Sequence, residues 1–235
     1  MTGVFITGTD TGVGKTFVTA SLLEGLGAHG LSVVGMKPVA SGCAWVNGQL
    51  SNDDVLTLLK ASNSPLSYSD ANIYSFAQPV SPHIAARLSG AVIDLSLVKQ
   101  GVAALEKRFG CVVVEGVGGW AVPLNDRDTV EDMALALGLP VLLVVGLRLG
   151  CINHALLTER AIRAAGLPLL GWVSNQVEER LAFVDEVVST LASRLESPRL
   201  GSIGFLPEVA RHGTSPEAGN PGFDLAGELL RRLAL

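Results

Sequence analysis

Residues able to do chemistry gather first in Gly8-Thr9-Asp10-Thr11-Gly12-Val13-Gly14-Lys15-Thr16, which stands between an apolar run and a stretch of helical periodicity. Glycines let the backbone curl until its N–H groups converge on an anion. The helix starting behind them adds partial positive charge. In that setting the Lys15 ammonium reaches the β and γ phosphates of a nucleoside triphosphate, and the Thr16 hydroxyl ligates magnesium. Gly12, Val13, Gly14, Lys15, Thr16 and Phe17 are therefore the expected nucleotide-binding segment. The usual pattern is Gly, four residues, then Gly-Lys-Ser/Thr. Here Gly8 lies one place early and Thr9 takes the usual Gly position, so the strand–loop–helix context carries the assignment.

Further candidates lie along the chain. A magnesium ion in such a loop needs an acidic partner at another strand end. Glu115 closes the apolar run 111–115 and is followed by Gly116-Val117-Gly118-Gly119. Asp53 and Asp54 open a helix, where the dipole alone favours acids, and the residues do not say which of the two would face a site. Lys37 begins Lys37-Pro38-Val39-Ala40-Ser41-Gly42 after the second strand. A second cation there neutralises charge on a transferring phosphoryl group; a solvated loop lysine is the other reading. Gly150-Cys151-Ile152-Asn153 starts a helix, either as an anion site of free N–H groups or as an ordinary helix start. Cys151 has no His–acid arrangement to make its thiol a nucleophile. Asn175 ends a strand and matches the N6/N7 edge of adenine. Yet Asn175-Gln176-Val177-Glu178 also faintly resembles the guanine-reading Asn-Lys-x-Asp, and a loop asparagine remains a third reading. His83 and His154 belong to no spaced ligand set, which argues against zinc. Trp45, Trp120 and Trp172 read as packing residues.

These residues need a scaffold. Runs of strand type cover 4–7, 32–36, 111–115, 141–145, 169–174 and 201–205, each too uniformly apolar for a sheet with one wet face. Strands covered on both sides read this way, in a parallel sheet between helices. Helical stretches fall at 15–29, 53–60, 81–88, 95–108, 129–137, 152–165, 181–195 and 223–233. The alternation predicts an α/β fold: one doubly wound, mainly parallel sheet with helices on both faces, formed by residues 1–235 as a single P-loop domain. Ligands then collect beyond the carboxyl ends of the strands.

Composition limits the function classes. Apolar residues make up 48% of the 235 and charged residues 17%, which fits a buried core and argues against disorder. A net charge of −5 without a basic stripe argues against nucleic acid as a partner. The longest apolar run, 139–147, contains Pro140 and is about half of what a membrane span requires. Three widely spaced cysteines form neither a metal pattern nor a disulfide framework, and the N-terminus runs straight into a strand without a leader pattern. The expected location is the cytoplasm.

Taken together, the motifs resemble dethiobiotin synthetases. The resemblance is carried by Gly8-Thr9-Asp10-Thr11…Val13-Gly14-Lys15-Thr16, Lys37-Pro38-Val39-Ala40-Ser41-Gly42, Phe76-Ala77 and Ser81-Pro82-His83-Ile84. Val114-Glu115-Gly116…Gly118-Gly119-Trp120, Val144-Val145-Gly146, Leu149-Gly150-Cys151-Ile152-Asn153-His154 and Gly171-Trp172-Val173…Asn175 continue it in the family's order. Beyond about Gly204 the match is poor. The resemblance implies closure of the ureido ring of dethiobiotin from 7,8-diaminopelargonic acid and carbon dioxide, with ATP as co-substrate and Mg2+ as cofactor. It proceeds through a carbamate and a carbamic–phosphoric anhydride. It gives Lys15 and Lys37 the γ-phosphate and carbamate, and Thr11 and Ser41 hydrogen bonds to carbamate or diamine. These four are the implied catalytic residues, and Glu115 and Asn175 join the nucleotide-binding set. Thr16, Asp54 and Glu115 would organise the metal, Asp54 being preferred over Asp53 by the match. Gly150, Cys151 and Asn153 would meet the substrate carboxylate across a homodimer interface. Many family members carry Glu where this chain has Gly12.

Two other classes resemble the loop less closely. Partition or cargo ATPases carry a signature lysine where this chain has Asp10. Corrinoid amide ligases add a glutaminase domain for which the chain is too short. The sequence leaves base preference open, and the role of residues 207–224 stands between a lid and a surface loop.

Overall fold

The computed structural model describes residues 3–206 and 225–233; the 207–224 segment lies outside them. Its strands are β1 (Gly3–Gly8), β2 (Val33–Met36), β3 (Val39–Ser41), β4 (Ala44–Val46), β5 (Gln49–Ser51), β6 (Tyr74–Phe76), β7 (Cys111–Glu115), β8 (Val141–Leu147), β9 (Leu169–Gln176) and β10 (Arg199–Ile203). The helices are α1 (Lys15–Ala28), α2 (Asp53–Ala61), α3 (Tyr68–Ala71), α4 (Pro82–Leu88), α5 (Leu95–Glu106), α6 (Val130–Leu137), α7 (Cys151–Ala164), α8 (Val184–Arg194) and α9 (Leu225–Leu233).

Six strands form one sheet in the order β10-β9-β8-β1-β7-β2, and every pairing in it is parallel. All residues of β1, β7 and β8 are buried, as the uniform apolar runs require. Within those runs the side chains still alternate. Val4, Ile6, Val113, Leu142 and Val144 join the core under α1, α2 and α9. Phe5, Val112, Val114, Leu143 and Val145 join the opposite core under α4 to α8. Each such side chain contributes about 1.5–3 kcal/mol by leaving water. Gly35 lets α1 and α2 approach β2 closely: a Cβ there would lie 2.7 Å from Leu23 Cδ1 and 3.0 Å from Leu58 Cβ.

The strand order places the site. The chain leaves β1 for the edge strand β2, then returns to insert β7 between them before crossing to β8. The direction of winding therefore reverses between β1 and β7. A crevice opens beyond the carboxyl ends of strands at such a reversal, here between the loop after Gly8 and the end of Glu115.

Some boundaries differ from the sequence reading. β10 begins and ends two residues earlier than expected, and β9 continues to Gln176. α8 starts at Val184 rather than 181, because Phe183 adopts a left-handed conformation with φ 58° that stops the helix from extending backward. β3 to β6 and α3 were not expected, since segments of three or four residues carry too few positions to show a period. Trp120 and Trp172 are buried, but Trp45, expected to pack, is 70% exposed on the β4–β5 hairpin.

Candidate active site

The loop after β1 is built around Val13. Its side chain is buried, and it packs where glycines leave room. A Cβ at Gly8 would lie 2.6 Å from Val13 Cγ2, and one at Gly146 2.8 Å from Val13 Cγ1. At Gly8 and Gly146 the missing side chains let Val13 seat the loop closely on the sheet. Gly14, the N-cap of α1, has φ 88° and no side-chain cap. The first amides of α1 thus stay open to an anion. Helix α2 contrasts with it, because Asn52 Oδ1 already accepts from the amides of Asp54 (3.1 Å) and Val55 (3.4 Å).

Thr11, Gly12, Gly14, Lys15, Thr16, Phe17, Lys37, Ser41, Asp54, Glu115 and Asn175 all line one cleft of about 1040 Å³. Val13 lies beneath it. The exposed Asp53 is not among its walls, whereas Asp54 is. Val177, Phe205 and Leu206 wall the end near Asn175.

A charge cluster forms the centre. Lys37 Nζ donates to Glu115 Oε1 at 2.8 Å and also to Asp54 Oδ2. The Thr16 hydroxyl donates to the same Glu115 Oε1 at 2.9 Å. Lys15 Nζ donates to the carbonyls of Gly118 (2.6 Å) and Asp10 (3.0 Å). Lys15 and Lys37 are each 6% exposed and Glu115 1%. Burial, aided by the Lys37 charge and opposed by Glu115, brings the Lys15 pKa down to about 8. Burial opposes the charge on Lys37 as well, but the Glu115 and Asp54 carboxylates outweigh it and raise its pKa above the ordinary lysine value. Burial works against the charge on Asp54 too, and Lys37 overrides it to lower that pKa.

The donor set suits a hard divalent cation. Glu115 Oε2 is buried and has no hydrogen-bond partner among the described residues. Thr16, Asp54 and Glu115 offer oxygen only, with two carboxylates, which is the sparse set magnesium uses when phosphates and waters complete its shell. Among the described residues no group of three or more His, Cys, Asp or Glu could hold a metal.

Other expected residues stand differently. Asn175 is buried, and its Nδ2 donates to the Val13 carbonyl at 2.8 Å. That bond uses one of the two Nδ2 hydrogens. Gly150, Cys151 and Asn153 do not line the cleft; they begin α7, beside Leu149, which is 96% exposed. The expected row of free amides is incomplete. The Cys151 N–H donates to the Arg148 carbonyl, and the Cys151 side chain is in the core. The amides of Ile152 and Asn153 have no acceptor among the described residues.

Several residues of the site escaped the sequence reading. Asn72 Nδ2 donates to the Lys37 carbonyl at 2.7 Å, and the Lys37 amide donates to Ala71 O, which fixes the backbone under the ammonium. Asp10 binds Arg148. Neither Asn72 nor Arg148 sits in a motif, so only a tertiary contact identifies them.

A six-stranded parallel sheet with a glycine-rich loop, a buried lysine and a strand-end glutamate defines a P-loop nucleoside-triphosphate-binding protein. The family model of an AAA domain matches residues 2–212. The cell division ATPase MinD of Pyrococcus furiosus has a TM-score of 0.60 at 19% identity, covering 98% of this chain and 99% of that one. The MinC:MinD complex of Aquifex aeolicus gives 0.60 at 15% identity, covering 100% and 96%. At such identities the likeness is one of fold. The sequence relatives are much nearer. The ATP-dependent dethiobiotin synthetase BioD of Nitrosospira multiformis is 50% identical over 203 residues, 86% of this chain and 88% of the relative. That of Aromatoleum aromaticum is 45% identical over 88% and 90%, and that of Vibrio cholerae 41% over 88% and 90%. The chain belongs to the dethiobiotin synthetase family.

Proposed function

We infer that the chain forms dethiobiotin from 7,8-diaminopelargonic acid and carbon dioxide at the expense of ATP. The reading is carried by the convergence of Lys15, Lys37 and Glu115 at one sheet edge, in a chain 50% identical to an ATP-dependent dethiobiotin synthetase.

The chemistry fits those groups. One amine takes up carbon dioxide, giving a carbamate and releasing a proton. A carbamate oxygen attacks the γ-phosphorus while the bond to the β–γ bridging oxygen breaks, so ADP leaves. The second amine attacks the carbamoyl carbon, loses a proton and expels phosphate, closing the cyclic urea. No protein nucleophile is needed, so catalysis rests on position and charge. Lys15 holds the β and γ phosphates and Lys37 faces the carbamate and the transferring group. Thr11 and Ser41 hydrogen-bond the carbamate or the diamine. Gly12, Val13, Gly14, Thr16 and Phe17 carry the nucleotide, and Asn175 Oδ1 accepts from the base. Thr16, Asp54 and Glu115 are the residues that would hold Mg2+, which when bound neutralises phosphate charge.

The start of α7, Gly150, Cys151 and Asn153, receives the substrate carboxylate bound in a second copy of the chain, which makes the protein a homodimer. No helix among the described residues is long and apolar enough to cross a membrane, and the use of ATP suits the cytoplasm. A switch ATPase of the partition type is disfavoured by position 10, where its signature lysine is replaced by an aspartate bound to Arg148.

The test is phosphate release with ATP, magnesium and bicarbonate, with and without 7,8-diaminopelargonic acid. One cyclic urea per phosphate is expected, dependent on the diamine. Hydrolysis indifferent to the diamine would overturn the reading.

A further inference from the structure

Lys37 and Pro38 stand between β2 and β3, outside either strand. Their backbone groups are met by the stretch that ends α3 and leads into β6. The Lys37 amide donates to the Ala71 carbonyl at 2.8 Å, and the Pro38 carbonyl accepts from the amides of Ile73 (3.1 Å) and Tyr74 (2.9 Å). The Lys37 carbonyl is taken by a side chain, Nδ2 of the buried Asn72, at 2.7 Å. Asn72 is itself fixed at both ends of its amide. Nδ2 also donates to the Tyr74 carbonyl at 3.3 Å, and Oδ1 accepts from the Ser75 hydroxyl at 2.6 Å. With its hydrogen so used, the Ser75 oxygen accepts from the Tyr68 hydroxyl at 3.4 Å. The Tyr68 oxygen accepts from the Asn52 amide at 3.0 Å. Asn52 caps α2, its Oδ1 accepting from the amides of Asp54 and Val55. The Asp54 carboxylate in turn takes the Lys37 ammonium. The contacts close a ring from the carbonyl of Lys37 through Asn72, Ser75, Tyr68, Asn52 and Asp54 back to its Nζ.

We propose that Asn72 is a positioning residue for Lys37 in phosphoryl transfer, and that Ser75 and Tyr68 tie it to the α2 cap that carries Asp54. The proposal rests on the function inferred above, in which Lys37 faces the carbamate and the transferring group. Asn72, Ser75 and Tyr68 do not line the cleft, so they act through residues that do. A lysine ammonium rides on a flexible four-carbon stem. Glu115 and Asp54 hold its head, and Asn72 holds the backbone from which the stem starts. Stabilising charge on a transferring group depends on such placement being set in advance. From Asn52 to the Lys37 carbonyl every donor points the same way, so each bond polarises the next and the ring stiffens as a unit. Lys15 lies outside the ring, its ammonium held by the carbonyls of Gly118 and Asp10. Nucleotide binding is therefore independent of Asn72, and its effect is read in turnover.

The experiment measures steady-state cyclic-urea formation per folded molecule, with urea unfolding, for wild type, Asn72→Ala, Ser75→Ala, Ser75→Thr and Tyr68→Phe. Glu159→Ala is the control for lost stability, since its hydrogen bonds lie away from the cleft. Asn72→Ala is expected to lower kcat about tenfold to a hundredfold, because small displacements of reacting groups are costly. The ATP KM is expected to stay within about twofold, since the phosphate loop keeps its amides and Lys15. Ser75→Ala and Tyr68→Phe should lower kcat by less, and Ser75→Thr, which keeps the hydroxyl, should restore it. Asn72→Ala combined with Ser75→Ala should be no slower than Asn72→Ala alone, because Ser75 acts through Asn72. Glu159→Ala should keep the wild-type kcat whatever stability it loses. Wild-type kcat in folded Asn72→Ala would overturn the proposal alone. A fall in kcat matched by Glu159→Ala, or one accompanied by an equal rise in ATP KM, would assign Asn72 a structural role and also overturn it. Wild-type rates in Ser75→Ala and Tyr68→Phe beside a slow Asn72→Ala would overturn the tie to α2. If Asn72→Ala does not fold, Ser75→Ala and Tyr68→Phe decide: slowing in both with recovery in Ser75→Thr supports the proposal, and wild-type kcat in both overturns it. Wild type that shows no diamine-dependent turnover would overturn both the proposal and the function beneath it.

Discussion

Lys37 Nζ lies 2.8 Å from Glu115 Oε1, joining the strand ends of β2 and β7, 78 positions apart in sequence. The Glu115 side chain has no exposed surface and the Lys37 side chain is 8% exposed. Glu115 is the main compensation for the buried Lys37 charge and Asp54 adds to it, while Glu115 is held by Lys37 and by the Thr16 hydroxyl.

Lys37→Ala removes the cation and leaves Glu115 buried without it. A broken buried pair of this kind costs about 3–5 kcal/mol. The variant is expected to unfold at a lower urea concentration, and adding Glu115→Gln should restore part of the loss. Turnover should disappear while nucleotide binding is largely kept, because Lys15 and the loop amides remain. Equilibrium urea unfolding and nucleotide titration check the two halves separately. Unchanged turnover would remove Lys37 from the mechanism.

The two aspartates at the start of α2 should behave differently. Asp53 is exposed and outside the cleft, so Asp53→Asn forfeits only a helix-dipole contribution of about 0.3–1 kcal/mol. Asp54→Asn weakens the hold on Lys37 and removes a carboxylate from the proposed metal set. Titration of activity with magnesium is expected to shift at least tenfold for Asp54→Asn and to stay unchanged for Asp53→Asn.

Lys15 gives the site a pH dependence. With its pKa down to about 8, the ammonium is charged at pH 7 and largely neutral at pH 9. Phosphate binding needs the charged form, so ATP binding above pH 8 must take up a proton and weakens, by up to about tenfold per pH unit. Calorimetry in two buffers of different ionisation enthalpy should show proton uptake at pH 9 and little at pH 7. The opposite trend, affinity rising with pH, would contradict the neutralised lysine. In the absence of ligand the sign for stability is reversed. The unfolded lysine holds its proton up to about 10.5, so the stability contribution of Lys15 grows with pH between 8 and 10.5.

Gly12 and Gly14 separate strain from collision. Both have positive φ, 72° and 88°, so an alanine at either costs about 1–2 kcal/mol in backbone conformation. A Cβ on Gly12 meets nothing within 4 Å, whereas one on Gly14 would lie 2.1 Å from Asn175 Nδ2. Gly12→Ala is expected to keep nucleotide binding. Gly14→Ala should lose it, by displacing Asn175 from the Val13 carbonyl. Fluorescent-nucleotide titration of both variants distinguishes the two effects.

Away from the cleft, Glu159 is buried on α7 and accepts from the amides of Glu196 (2.9 Å) and Ser197 (2.8 Å) and from the Ser197 hydroxyl. Glu159→Ala leaves these donors unpaired where α8 passes to β10, at a cost of about 2–4 kcal/mol. The urea midpoint should fall while turnover per folded molecule is preserved.

The residue order alone determined the α/β class, because strands buried on both faces must be apolar at every position and the helices between them must recur. It also determined the phosphate loop, since glycine conformations, a lysine and a hydroxyl at fixed spacing are a local matter. Strand order lay beyond it. Which strand lies beside which depends on the crossings, and the insertion of β7 between β1 and β2 alone brings Glu115 to Thr16 and Lys37. The choice of Asp54 over Asp53 came from a family match, and the structure supplies its physical side: helical rotation turns one acid to the cleft and the other to water. Asn72 under Lys37, Nδ2 of Asn175 on Val13, and Arg148 on Asp10 left no trace in local pattern. Each is a hydrogen bond between segments far apart in the chain, and only packing decides which distant donors meet which acceptors.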